Sequence, residues 1–224
     1  MYLVNTIINK LITESREKIF NPIFGRNRRK KIKNKRFTII SNNCWGGHVY
    51  RYFRLPYDSP TIGLYFFAED YVKFVHNLKE YLNTDIKFIT HKESRYREIL
   101  EKRGGRETKC PIGVLNDIEI IFLHYHSQEE VLKKWIRRKN RIQWDNIIFK
   151  MSEQNLCKQE HLQKFDSLST NKKFIFTTRD YNLKSQVIFR DYLGKEEVYN
   201  DTLHFRKHID LIKLINGESF KLHQ

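Results

Sequence analysis

The segment from Asp117 to Met151 constrains the fold more than any other part of this chain. Residues 117–125, Asp-Ile-Glu-Ile-Ile-Phe-Leu-His-Tyr, read as a long strand. Ser127 followed by Glu130 has the spacing of a capping box and predicts a helix to about Ile142. Residues 146–151, Asn-Ile-Ile-Phe-Lys-Met, read as the next strand. Strand, helix and strand at this spacing predict a parallel crossover. The pattern extends in both directions. Residues 37–41, 62–67, 86–89, 174–177 and 187–189 are short apolar runs of strand type. Tyr71, Phe74, Val75, Leu78, Tyr81 and Leu82 recur at the helical period, and further helices are predicted near 155–167 and 204–216. Residues 92–109, charged and carrying Gly104-Gly105, are expected to form a mobile loop after a turn or two of helix. Alternating strands and helices define an α/β protein. Its largely parallel sheet is covered by helices on both faces, in Rossmann-like layers. At 224 residues the chain suits one such domain, or two small halves sharing a core.

Ahead of residue 37 the composition changes. Leu3, Val4, Ile7, Ile8, Leu11 and Ile12 recur at helical spacing and predict an amphipathic helix over about 2–20. Polar residues interrupt this stretch and no small-residue cleavage site follows, so it does not read as a signal peptide. Arg26, Arg28, Arg29, Lys30, Lys31, Lys33, Lys35 and Arg36 then form a run that predicts a solvated linker. The chain therefore divides into an arm, 1–36, and an α/β domain, 37–224. The formal net charge is +16, and the arm, with eleven basic and two acidic residues, holds more than half of it. An amphipathic helix beside a polybasic run predicts a two-signal peripheral membrane anchor. The alternative is that the helix packs on the domain or on a partner subunit of a homo-oligomer.

Other classes are excluded by composition. A chain that is 40% hydrophobic and 14% aromatic is not disordered. No stretch approaches the ~18 uninterrupted apolar residues of a membrane span. Nucleic acid is not an expected partner, because the aromatics fall at core spacing and no nucleic-acid module is present. Cys44, Cys110 and Cys157 are odd in number and scattered, which suits a reducing cytoplasm. The expected location is the cytoplasm, with contact at the inner face of the cell membrane through the arm.

In open α/β sheets ligands bind beyond the carboxyl ends of the strands. That rule selects residues 42–47 and 124–127. At the first, Gly46 and Gly47 permit close backbone approach, and a helix starting there would favour an anion such as a diphosphate. Cys44 at such a helix start is expected to have a lowered pKa, as a nucleophile requires. The alternative is a tight turn with a buried free cysteine and a core Trp45. At the second, His124 is a candidate for acid–base work or phosphate binding, against a satisfied core histidine. Asp117 and Glu119 share the other face of that strand but lie at its beginning, which favours structural roles. On the following helix Val131, Trp135 and Ile142 mark the buried stripe, and Arg138 falls on it. It must meet a carboxylate or a bound phosphate. No P-loop, GxGxxG, Asp-x-Asp or Cys/His metal spacing occurs, so no metal and no cofactor is expected.

These motifs together resemble a family. The run Ser41-Asn42-Asn43-Cys44-Trp45-Gly46-Gly47, then Tyr50-Arg51, Leu55-Pro56-Tyr57-Asp58-Ser59-Pro60 and Thr61-Ile62-Gly63-Leu64 are similar to an uncharacterised bacterial family. It is catalogued as a domain of unknown function (DUF1919), and its members are often labelled exopolysaccharide biosynthesis proteins. The resemblance continues through Asp70-Tyr71, Pro111-Ile112-Gly113, Asp117-Ile118-Glu119 and Phe122-Leu123-His124-Tyr125. It ends with Glu129, Lys134-Trp135, Arg137-Arg138, Arg141-Ile142 and Asp145-Asn146. It spans roughly 37–215 and leaves the arm outside. It implies a cytoplasmic protein of surface-glycan assembly, without implying a reaction.

The candidate site is therefore Cys44, His124 and Asp70 for chemistry. Asn42, Asn43, Trp45, Gly46, Gly47, Arg51, Tyr125 and Arg138 are the candidates for binding. The leading expectation is a transferase using an activated donor of nucleotide-sugar type, acting on a small-molecule or glycan substrate. Its alternatives are a Cys44-dependent acyl transferase or hydrolase with His124 as base, and a non-catalytic adaptor at the membrane.

Overall fold

The computed structural model describes residues 11–12 and 14–222. One turn of π-helix, Arg16–Phe20, leads directly into α1 (Asn21–Lys30), and strand β1 (Thr38–Ser41) is followed by α2 (Trp45–Phe53). Then come α3 (Ala68–His76), α4 (Leu78–Asn83), β2 (Lys87–Ile89), α5 (Arg97–Arg103), β3 (Ile112–Leu115) and β4 (Ile118–Ile121). The rest is α6 (Gln128–Lys139), β5 (Ile147–Ser152), α7 (Gln159–Asp166), β6 (Lys173–Thr177), β7 (Gln186–Ile188) and α8 (Leu211–Asn216).

Four strands form a wholly parallel sheet in the order β1-β5-β6-β7, and β2-β3-β4 form a small antiparallel sheet. Side chains of the parallel strands alternate between two cores, as period-2 geometry requires. Ile39, Ile148, Phe174 and Phe176 pack with Trp45, Val49 and Phe53 of α2, and with Leu211 and Leu214 of α8. Ile40, Met151 and Ile175 pack on the other face, with Tyr71 and Phe74 of α3, Val131 and Trp135 of α6, and Phe165 of α7. Leu115, Ile118 and Ile120 of the antiparallel sheet join that second core. The architecture is thus mixed α/β with helices on both faces of a parallel sheet.

Several expectations change. The unit 117–151 is not a parallel crossover, because β4 pairs with β3 and β5 belongs to the other sheet. The physical reason is the tight turn at Asn116 (φ +52°), whose left-handed backbone closes a hairpin and returns β4 antiparallel beside β3. The strand also stops at Ile121, leaving His124 in a turn. Residues 62–67 make only an isolated bridge between Tyr65 and Ile121, and the predicted helix over 71–82 breaks at Asn77. Charged residues 97–103 form α5.

The largest correction concerns the basic run. Arg26 to Lys30 are helical, and α1 packs on α2. Gly25 lies against Arg54 and Tyr52, and Arg28 stacks over the Tyr52 ring at 4.0 Å while donating to Asn21 Oδ1 at 2.9 Å. Ile32 is buried in the core around α2. The cations do not prevent packing because their long stems carry the charges out to water while small residues make the contact. The predicted helix over 2–20 lies outside the described residues for 1–10 and Thr13.

Candidate functional site

β1 ends at Ser41, and the loop beyond it is anchored from beneath. Asn42 spans to β5: its Nδ2 donates to the Ser152 carbonyl at 2.9 Å and its Oδ1 accepts from Ser152 N at 3.0 Å. Asn43 Oδ1 accepts from Trp45 N at 3.1 Å, which starts α2, and Asn43 Nδ2 donates to Asp201 at 2.8 Å. Trp45 is fully buried, edge-on to Phe174, Phe176 and Phe205. A Cβ on Gly46 would stand 3.2 Å from Ile39, so this glycine brings α2 onto β1. Asn42, Asn43, Trp45 and Gly46 therefore face the interior and build the loop.

The other face of α2 is open. Cys44, Gly47, His48 and Arg51, at spacings of three and four, line one side of a cavity of about 550 Å³. Ile62, Gly63, His124 and Tyr125 form another side, and Lys134 and Arg138 reach in from α6. Tyr57, Thr202 and Glu17 complete it. Gly63 is at φ +77°, and a Cβ there would meet the Tyr125 ring at 3.2 Å, so only glycine fits this wall. The helix that delivers Arg138 begins as the sequence predicts. Ser127 Oγ accepts from Glu130 N at 3.1 Å, although Glu130 returns its bond to His126 N rather than to the cap.

Arg138 is only 5% exposed. It donates to the Ile62 carbonyl at 3.1 Å and to the Tyr125 hydroxyl, and its guanidinium lies 5.2 Å from the centre of the Tyr57 ring. Among the described residues no carboxylate pairs with it, and its Nε has no hydrogen-bond partner. The Arg51 Nε is equally unpartnered, while Arg51 Nη2 meets Glu17 at 2.8 Å. Buried donors left unpaired cost about 1–3 kcal/mol each, and a buried guanidinium costs more without a counter-charge. His48, then Arg51, hold the Glu17 carboxyl below its usual range, so it is ionised at neutral pH.

Arg106 Nη1 lies 3.0 Å from His124 Nδ1. A guanidinium cannot accept, so Nδ1 is the acceptor and the imidazole is neutral with its proton on Nε2. Partial burial, then Arg106, Arg51 and His48, lower its pKa.

Cys44 behaves differently from expectation. Burial, then the nearby Asp201 carboxylate, push its thiol up to about 12, the opposite of the shift expected at a helix start. Its Sγ lies 3.7 Å from the Leu64 carbonyl. At neutral pH it is a protonated thiol. Asp70 does not reach the cavity. It is a buried residue of α3 that faces β4 and the turn before α5, accepting from Arg95, from Tyr96 Oη at 3.0 Å and from Glu119 N at 3.1 Å. Glu119 accepts from Ser94 and Arg95 N, and Asp117 from Tyr81 Oη at 2.6 Å, so these carboxylates tie the antiparallel sheet to its helices.

Sequence reasoning missed a buried network below the loop. Lys150 and Asp201, at 0% and 1% side-chain exposure, form an ion pair joined by Ser152 and Asn43. Burial alone raises the Asp201 carboxyl, but Lys150, Asn43 and Ser152 outweigh it and hold it low. The available signal was a lysine in the middle of the apolar run 146–151. Glu17 and Tyr57 carried no comparable signal, because their cavity partners are distant in sequence.

The fold and this cavity define an α/β protein with a basic cleft beside the first strand–helix turn of its parallel sheet. The chain belongs to the family described as "Domain of unknown function (DUF1919)", which it matches over residues 15–216. The match includes the π-helical turn and α1, so most of the described arm is part of the family's domain. A protein of Haemophilus influenzae named only as an uncharacterised protein is 28% identical over 196 residues, covering 88% of this chain and 86% of its own length.

Proposed function

We propose that the cleft binds an anionic small molecule bearing a phosphate or diphosphate, and that the protein is a transferase of surface-polysaccharide assembly using an activated donor of nucleotide-sugar type. The observation that carries this reading is Arg138: a buried guanidinium, aimed into the cleft, with a carbonyl and a phenol for partners and, among the described residues, no carboxylate. A phosphoryl oxygen is the acceptor that a planar guanidinium fork matches best. Arg51 supplies a second fork whose occupant is Glu17, an ionised group that an incoming anion can replace. Tyr57, half-buried in the cleft wall, offers a ring for the sugar or base of a donor. His124, neutral with its proton on Nε2, is the cleft residue that would serve for proton transfer. The glycan part of this reading rests on the motif resemblance alone, since the family description and the Haemophilus influenzae relative name no activity.

The acyl-transfer reading has weaker support, because a thiol pushed up to about 12 is a poor nucleophile at neutral pH. A thermal-shift panel of nucleotide sugars, nucleoside diphosphates, inorganic diphosphate, acyl-coenzyme A and short glycans tests both. Stabilisation reaches about 2.7 kcal/mol at a hundredfold excess over Kd. Nucleotide sugars, nucleoside diphosphates and inorganic diphosphate are expected to raise Tm, and Arg138→Lys, which keeps charge but loses the fork, to weaken them at least tenfold. A response to acyl-coenzyme A alone, with fast alkylation of Cys44, would reverse the choice.

A further inference from the structure

We infer that the outer face of the π-helical turn and α1 is a docking surface for an anionic lipid bilayer. This is independent of what the cleft binds. Ile19 and Ile23, 53% and 61% exposed, stand out from this segment, and the half-exposed Phe20 and Phe24 beside them border the groove that the arm shares with Tyr52 and Phe205. Phe20 and Phe24 stack on each other with ring centres 6.3 Å apart. Ile23, Arg26 and Lys30 follow at spacings of three and four, so the apolar group passes directly into a basic one on the same side.

The charge says what the occupant is. From Lys18 to Tyr57, forty residues, the chain has no aspartate or glutamate, and eleven lysines and arginines. Some of those cations serve the fold: Arg28 stacks on Tyr52, Arg29 donates to the Arg54 carbonyl, and Lys33 pairs with Glu218. Arg26, Lys30, Lys31 and Lys35 are exposed, and among the described residues no carboxylate pairs with them. A like surface on a second copy would bring these cations together, whereas anionic headgroups neutralise them. Apolar side chains at the acyl boundary and cations at the phosphates reinforce each other, and long basic stems reach from one depth to the other. No helix among the described residues is long and apolar enough to cross a membrane, so the contact is in-plane.

The test is co-sedimentation of the full chain with vesicles of phosphatidylcholine alone, or with about 30% phosphatidylglycerol, at ~0.1 M and ~0.5 M salt. Binding is expected only with phosphatidylglycerol, and to weaken at high salt. Ile19→Asp/Ile23→Asp and, separately, Arg26→Gln/Lys30→Gln/Lys31→Gln are each expected to reduce it at least tenfold while leaving circular dichroism and Tm unchanged, since these side chains are exposed. Absence of binding to anionic vesicles overturns the inference, as does binding that neither variant lowers. A concentration-dependent dimer that Ile19→Asp/Ile23→Asp dissociates, without vesicle binding, assigns the face to a second copy instead.

Discussion

Arg138 and His124 show how residue environment, more than residue type, sets what this cleft can do. An arginine on the buried stripe of a helix ordinarily meets a carboxylate, and here it meets Ile62 and Tyr125. His124 is kept neutral by partial burial and by the surrounding cations. The sign of its pH response follows. A bound anion offsets those cations and raises the imidazole pKa, so binding takes up a proton and strengthens as pH falls through the ordinary histidine range near 6.5. Sulfate, which does not titrate there, should bind more tightly at pH 6 than at pH 8. Each unit of pKa rise adds up to about tenfold. His124→Gln should flatten that part of the dependence in isothermal titration. An unchanged pH profile in the variant would remove His124 from the site. The residues themselves were partly legible. Arg138 stood out because a cation on an apolar stripe is an anomaly, and Cys44 because it precedes two glycines. Only the folded environment revealed that the thiol is pushed up.

At the scale of elements, apolar periodicity located the strands of the parallel sheet, because their side chains are buried on both faces and read as unbroken runs. It failed where tertiary pairing decides. The apolar stretch Ile120 to Leu123 runs on without a break, yet the chain leaves the strand after Ile121 to turn His124 and Tyr125 toward the cleft. Charge density failed for α1, whose packing surface is Asn21 and Gly25 rather than an apolar stripe. The Lys150–Asp201 pair joins β5 to the C-terminal segment that covers the loop after β1. Asp201→Asn leaves a buried ammonium without its counter-charge and should cost about 3–5 kcal/mol in denaturant unfolding. The double variant Lys150→Met/Asp201→Leu should recover most of that loss. If it does not, the pair's hydrogen bonds to Asn43 and Ser152 matter more than its charge. Because the Asp201 pKa is lowered by folding, its contribution is present above about pH 4 and is lost as pH falls through the folded-state value.

For the whole molecule, the contact that matters is between Glu17 and Arg51. Glu17 sits in the π-helical turn that leads into α1, and its carboxylate lies on a cation of the cleft. An anion that takes the Arg51 Nη2 position displaces it, and cleft occupancy and arm attachment would then carry one coupling free energy, equal in both directions. Glu17→Gln should therefore tighten binding of inorganic diphosphate by several-fold, since a coupling of 1–3 kcal/mol corresponds to about 5–150-fold. Diphosphate should in turn speed hydrogen exchange of backbone amides across residues 16–30 in the natural sequence and leave the Glu17→Gln protein unmoved. Unaltered exchange in both proteins would show that the two regions are energetically separate. With the coupling in place, ligand concentration acts on the arm as a force acts on a latch. A saturated cleft and a fastened arm are competing states of the same chain.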